Sequence, residues 1–184
     1  MIRIFSTLAT LTTLGLLASG VTGLYSMSVD GVHHPEKSIF LLHFNFGLFT
    51  AVGTLLAHCL IFTYFLGTGR WVKEVKIAYN IPDEPWPKLT RELKRRTFPP
   101  ALAAMLITIA AAATGAGVQM QSWPWTAHAT TAVIALLVNL WAFYIEIRDL
   151  RINAGIIVEV MNAVERIRSE HGLVGNSEAL LEDQ

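Results

Sequence analysis

Cysteine is nearly missing from this chain. Its single thiol, Cys59, excludes an internal disulfide and any cysteine-built zinc centre. Charge is sparse as well: 15% of the 184 residues are Asp, Glu, Lys or Arg, and the formal net charge is zero at pH 7. Such a balance leaves no electrostatic footprint for nucleic acid. A Gly-rich phosphate loop, an HExxH helix, a nucleophile elbow and a carboxylate pair at membrane depth are all lacking, which removes the familiar hydrolase and transferase machineries. Four spans with so few buried charges argue against a solute transporter acting alone. Short repeats, Pro-rich linkers and low-complexity tracts are missing, and nothing marks a second folded domain.

What the chain has is apolar length. Hydrophobic residues make up 53%, and the mean hydropathy is +0.46. The central run, from Ser38 to Leu66, holds no Lys, Arg, Asp or Glu. A helix rises 1.5 Å per residue, so this run crosses a hydrocarbon core of about 30 Å with some tilt. Three more nearly uncharged runs cover residues 4–27, 100–120 and 125–147. The first could be a signal peptide, with small residues around Ala18–Gly20, but it continues to Tyr25 and Met27 and reads as a retained span. The expected fold is therefore an all-α integral membrane protein: a four-helix up-down bundle over residues 1–150, then a helical cytoplasmic tail over 151–184.

Turn chemistry divides the runs. Asp30-Gly31 and Pro35 mark the first loop, with Ser38 as an N-cap. Gly67 and Gly69 are expected to end the second span or loosen its last turn, and residues 71–80 could continue as a short helix along the membrane surface. Residues 67–99 form the long connection, with Trp71, Tyr79 and Trp86 at headgroup level. The third span is expected to open at Pro99-Pro100, where proline suits a first turn. Its Ala104, Thr108, Ala111 and Gly115 make a face of small side chains, as do Gly15, Ser19, Gly20 and Gly23 on the first span; both predict close helix contact. The tail carries an apolar stripe of Ile157, Val160, Met161 and Val164, suited to packing on the surface helices or a second copy. The end of the chain after Gly172 is acidic and frayed in character.

Thirteen of the fourteen Lys and Arg residues lie before the first span, in 67–99 or after the fourth span, leaving only Lys37 on the other side. The positive-inside rule then puts both termini and the long connection in the cytoplasm of a bacterial inner membrane. The same cations attract anionic lipid, so the bilayer itself accounts for them without a partner protein.

Spans two and four run in the same direction. His43 comes five residues after Ser38, and His128 six after Ser122, so both sit about a turn below the outer surface. His43 shares a face with Gly47, Thr50 and Thr54, with His58 about 60° away; His128 shares one with Thr131, Ala135, Asn139 and Glu146. Aligning the histidines sets Thr54 level with Asn139, as an interhelical polar pair. Two facing imidazoles can be the axial ligands of a b-type haem, with Gly47 and Ala132 leaving room beside them. The pattern resembles membrane cytochromes b, in which histidine pairs join parallel spans of a bundle. The likeness covers His43 and His128, with a loose echo in His58. Two-haem members carry a second pair near the other face; here that depth on span four holds Phe143 and Tyr144, so one haem is the most the resemblance implies.

Three readings follow. The first is an electron-transfer subunit with haem b on His43 and His128, serving a quinone or a partner enzyme. The second is a cofactor-free structural or assembly subunit of a larger membrane complex, or a homo-oligomer. The third is copper or zinc binding on the external face through His33 and His34 with His43 and His128, helped by Asp30 and Glu36. Glu146 lies beside Arg148 and Asp149 near the inner end of span four and reads as part of an interfacial ion pair, with a proton-coupled role as the alternative. His171 has no expected role.

Overall fold

In the computed structural model, residues 1–30, 38–81 and 85–173 are described. They form four helices: α1 (Ile2–Asp30), α2 (Ser38–Ala78), α3 (Trp86–Gln119) and α4 (Trp125–Glu170), with no strand among the described residues. Each helix is long and apolar enough to cross a membrane. At 29, 41, 34 and 46 residues they also exceed the need. About 20 residues suffice, so α2 and α4 stand well clear of any bilayer at one end.

Contacting pairs fix the directions. Gly15 abuts Thr50, and Gly53 abuts Thr12, so α1 and α2 run antiparallel. Phe62 packs on Phe98 with ring centres 4.5 Å apart, and Gly69 lies against Lys94, giving the same sense to α2 and α3. Arg96 meets Asp149 while Ala111 meets His128, completing the series with α3 and α4. Helices α2 and α4 cross the bundle in parallel, in a constant register. A spacing of 85 residues joins Thr68 to Asn153, and the same spacing joins His43 to His128 and His58 to Phe143. One end of the bundle carries His43 and His128, called here the loop end. The other carries Arg96, Arg148 and the projecting parts of α2 and α4, called here the basic end.

The outward surface is apolar along all four helices. Leu14, Val21, Phe49, Leu56, Leu106, Ile109, Val133 and Leu137 are exposed. An apolar surface this continuous has a favourable environment in lipid, not in water. The buried core is small: Phe5, Ala57, Ile61, Phe65, Val72, Leu93, Phe143 and Leu150, extended by Ile156 and Val160.

The long connection is shorter than the sequence suggests. Gly67 and Gly69 do not end α2, which continues to Ala78. The flexible Lys94 side chain of α3 lies against Gly69. Nor do Pro99 and Pro100 begin a helix; they lie inside α3. Their missing N–H groups withdraw only the two helical bonds to residues 95 and 96, where the basic end is accessible to water. Trp71 and Trp86 pack partly buried against the core, and Trp86 Nε1 donates to Glu159 at 2.8 Å. The tail helix docks on Val75, Tyr79, Ile81 and Trp86 through Ile156, Val160, Ala163 and Val164. Its buried stripe is thus displaced from the expected one, and Met161 is exposed. His171 Nδ1 donates to the Ile167 carbonyl at 2.7 Å, at the end of α4.

Asp149 ties the basic end together. It is fully buried and accepts four bonds: Arg96 Nε at 2.9 Å, the Arg96 terminal nitrogen at 2.5 Å, Thr97 Oγ1 at 2.8 Å and Arg148 Nε at 3.1 Å. The Arg96 pairing is a two-pronged fork between α3 and α4. This hydrogen bonding also raises the Arg96 guanidinium above its ordinary pKa. Asp149→Ala would strand Thr97 and the fork, and because Arg96 is partly solvated the expected cost is about 2–3 kcal/mol, at the low end of a broken buried pair. Unfolding midpoints in detergent test this; Glu74→Gln, which breaks the exposed Arg70–Glu74 pair, should leave the midpoint unchanged.

Candidate functional site

The loop-end site is built by two hairpins in the same way. In the first, His43 of α2 leans on α1: its Nδ1 is 2.8 Å from the Ser19 carbonyl oxygen. In the second, His128 of α4 leans on α3: its Nδ1 is 3.0 Å from the Ala111 carbonyl oxygen. A carbonyl only accepts, so each Nδ1 carries the proton and donates it. In the neutral ring, each Nε2 then holds a free lone pair.

Glycine makes both contacts possible. A Cβ on Gly23, four residues beyond Ser19, would lie 2.8 Å from His43 Cε1. One on Gly115, four beyond Ala111, would lie 3.0 Å from His128 Cε1. Each glycine follows a threonine, Thr22 and Thr114. Thr114 also bonds Thr131 across the hairpin at 2.7 Å. The α1–α2 and α3–α4 hairpins thus share one contact plan, a histidine donating to a carbonyl beside a glycine on the preceding helix. The signal in the sequence was a Thr-Gly step on the helix preceding each histidine. It is invisible to a search for short repeats, because only the geometry of the pair recurs.

The two half-buried rings face one another, with centres 6.0 Å apart and planes at 65°. Gly47 lies against α1, where a Cβ would be 3.2 Å from Ser19 Oγ, and Ala132 is half-buried on α4. His33, His34, Gly31 and Glu36 lie outside the described residues. Among the described residues, no three His, Cys, Asp or Glu side chains gather as a metal site.

A second polar cluster lies near the basic end. His58, Asn139 and Glu146 are fully buried there. His58 Nδ1 is 2.7 Å from Glu146 Oε1, and its Nε2 is 2.9 Å from Asn139 Oδ1. The pairing of Glu146 with Arg148 and Asp149 is thus overturned. Glu146 turns inward to α2, and Asp149 takes the arginines. Thr54 and Asn139 do not bond each other either. Thr54 Oγ1 donates to the Thr50 carbonyl at 2.8 Å, while Asn139 Nδ2 donates to the Ala135 carbonyl at 2.7 Å and to Thr108 Oγ1 at 3.0 Å. His58 is longer than Thr54 and reaches Asn139 from one turn further along α2.

The proton positions in this cluster follow by elimination. Thr108 Oγ1 donates to the Ala104 carbonyl at 2.8 Å, so it must accept from Asn139 Nδ2. Both Asn139 N–H groups are then spent on Thr108 and Ala135, and Oδ1 faces His58 Nε2 as an acceptor. Nε2 therefore carries a hydrogen. One further proton lies between Nδ1 and Glu146 Oε1, whichever of the two holds it, so the pair is neutral as a unit. His58 also stacks on Phe143, with ring centres 4.9 Å apart and planes at 13°. Glu146 was legible as a neighbour from the register alone: Phe143 is level with His58, and Glu146 is one turn on.

Comparison with known protein families, curated proteins and solved structures finds no match to this chain.

Gly23→Ala should force the His43 ring off its carbonyl and destabilise the bundle by about 1–3 kcal/mol, as overpacking does. Gly20→Ala, on the same helix with nothing within 4 Å of its Cβ position, should be neutral or slightly stabilising. Thermal midpoints of the two variants, side by side, check this.

Proposed function

We propose that this chain is a small electron-transfer subunit of a bacterial plasma membrane, holding one b-type haem between His43 and His128 near the outer face. The observation that supports it is the matched pair of imidazoles, each with Nδ1 bound to a main-chain carbonyl and Nε2 left as a lone pair. A metal-bound histidine is commonly fixed in this way through its other nitrogen, which sets the tautomer and raises ligand basicity. His43 and His128 are in ring contact, so they are the two side chains that would hold the group. When bound, the haem would supply a one-electron Fe(III)/Fe(II) couple. The protein's part is to hold both rings rigid, through Ser19 and Gly23 on one side and Ala111 and Gly115 on the other. A haem held by both His43 and His128 would suit electron transfer rather than oxygen binding.

The orientation belongs to the same proposal. Charge asymmetry favours the basic end and both termini in the cytoplasm, with His43 and His128 towards the exterior. The partner is a membrane donor or acceptor of single electrons, such as a quinone or a companion enzyme.

An absorption spectrum of the purified chain is the test. A Soret band that shifts on reduction, and is lost in both His43→Ala and His128→Ala, is the expected result. His58→Gln should retain it. Colourless, metal-free protein would leave only an assembly role, and copper or zinc lost on mutating His33 and His34 would point to an external metal site instead.

A further inference from the structure

Among the described residues, Glu146 Oε2 is a buried acceptor with no partner, on a side chain with no exposed surface. Glu146 belongs to a polar stripe on α4, comprising Asn139, Glu146, Asp149 and Asn153, all fully buried. Their spacings of seven, three and four residues keep them on one face, running toward the basic end. Asn153 Oδ1, at the far end, also lacks a partner, although its Nδ2 donates to Thr68 Oγ1 at 3.2 Å. Between them, Asp149 is held by Arg96, whose side chain is 46% exposed, so the stripe meets solvent there.

Buried oxygens left open in this way are ordinarily filled by internal water. We propose that His58 and Glu146 form a proton-binding site, loaded from the aqueous phase at the basic end along this stripe. In the resting pair, Nε2–H is committed to Asn139 and a single proton bridges Nδ1 and Oε1. An added proton, delivered by hydronium that leaves behind water, binds Oε2, the one free acceptor of the pair. The pair then consists of a protonated carboxyl and an imidazolium. Deprotonation reverses the step through the same oxygen.

The surroundings of the pair contain little else that titrates. On α4 these are Asp149 and Arg148; on α3, Arg96, already forked onto Asp149. On α2 the group is His58 itself, and α1 presents Phe5 against Phe143. The net charge change therefore falls on His58 and Glu146. The site stands on its own and needs no haem at the loop end.

Infrared titration of the full chain in liposomes, in H2O and in D2O, tests the proposal. The expected result is one carboxylic C=O component, distinct from those of the other thirteen Asp and Glu side chains, that grows as pH falls, shifts in D2O within minutes, and disappears in Glu146→Gln. Where the glutamine variant does not fold, Glu146→Asp should move the band instead of removing it. The absence of such a component, a component indifferent to D2O, or one that survives Glu146→Gln or is unmoved by Glu146→Asp would overturn the assignment.

Discussion

Polar groups inside an apolar bundle must find their partners within it, and the contact that meets this constraint across the molecule is His58 held between Asn139 and Glu146. Helices α2 and α4 are diagonal partners and touch at few places. An unpaired imidazole or carboxylate at this depth is costly, so each makes the other necessary. Their bond locks the parallel register that also sets His43 opposite His128 and Thr68 beside Asn153. A slip of one turn on α4 would strand Glu146, Asn139 and Asn153 together. Register here is fixed by polarity, because apolar side chains facing lipid or one another discriminate weakly between neighbouring registers.

The hairpin plan explains how two weak features become one site. A histidine near the start of a span has several possible partners. A glycine on the preceding helix, four residues beyond an accepting carbonyl, removes the choice by letting the ring come close enough to donate to that carbonyl. Two such hairpins, antiparallel within and parallel to each other, place both rings at the same end. The proposed haem site then lies near the starts of α2 and α4 and the proposed proton site about midway along them, about 20 Å away at the helical rise. The first relies on side chains of small volume, and the second on a stripe of buried amides and carboxylates.

Much of this was legible in the sequence. Four uncharged runs gave four long helices, and the depth of His43 and His128 could be counted from their turns. The small faces of α1 and α3 were visible as spacings. The course of α2 and α3 beyond the lipid-sized segments was less visible, because Gly69 and Pro99-Pro100 carry the local signals of a boundary. At the prolines, a run of helix formers on both sides decides the matter. Glu146 was misassigned for a similar reason. Arg148 and Asp149 are its neighbours along the chain, but on a helix adjacent residues point about 100° apart.

The sequence by itself determined the number of long apolar helices, their boundaries near the loop end and the all-helical class of the fold, since these depend on local composition and length. Only the tertiary structure decided which polar groups meet: His58 with Glu146, Asp149 with Arg96, each imidazole with a main-chain carbonyl. Those pairings depend on the rotation and register of whole helices. Such quantities are set by the sum of all contacts between helices, and no single stretch of residues encodes them.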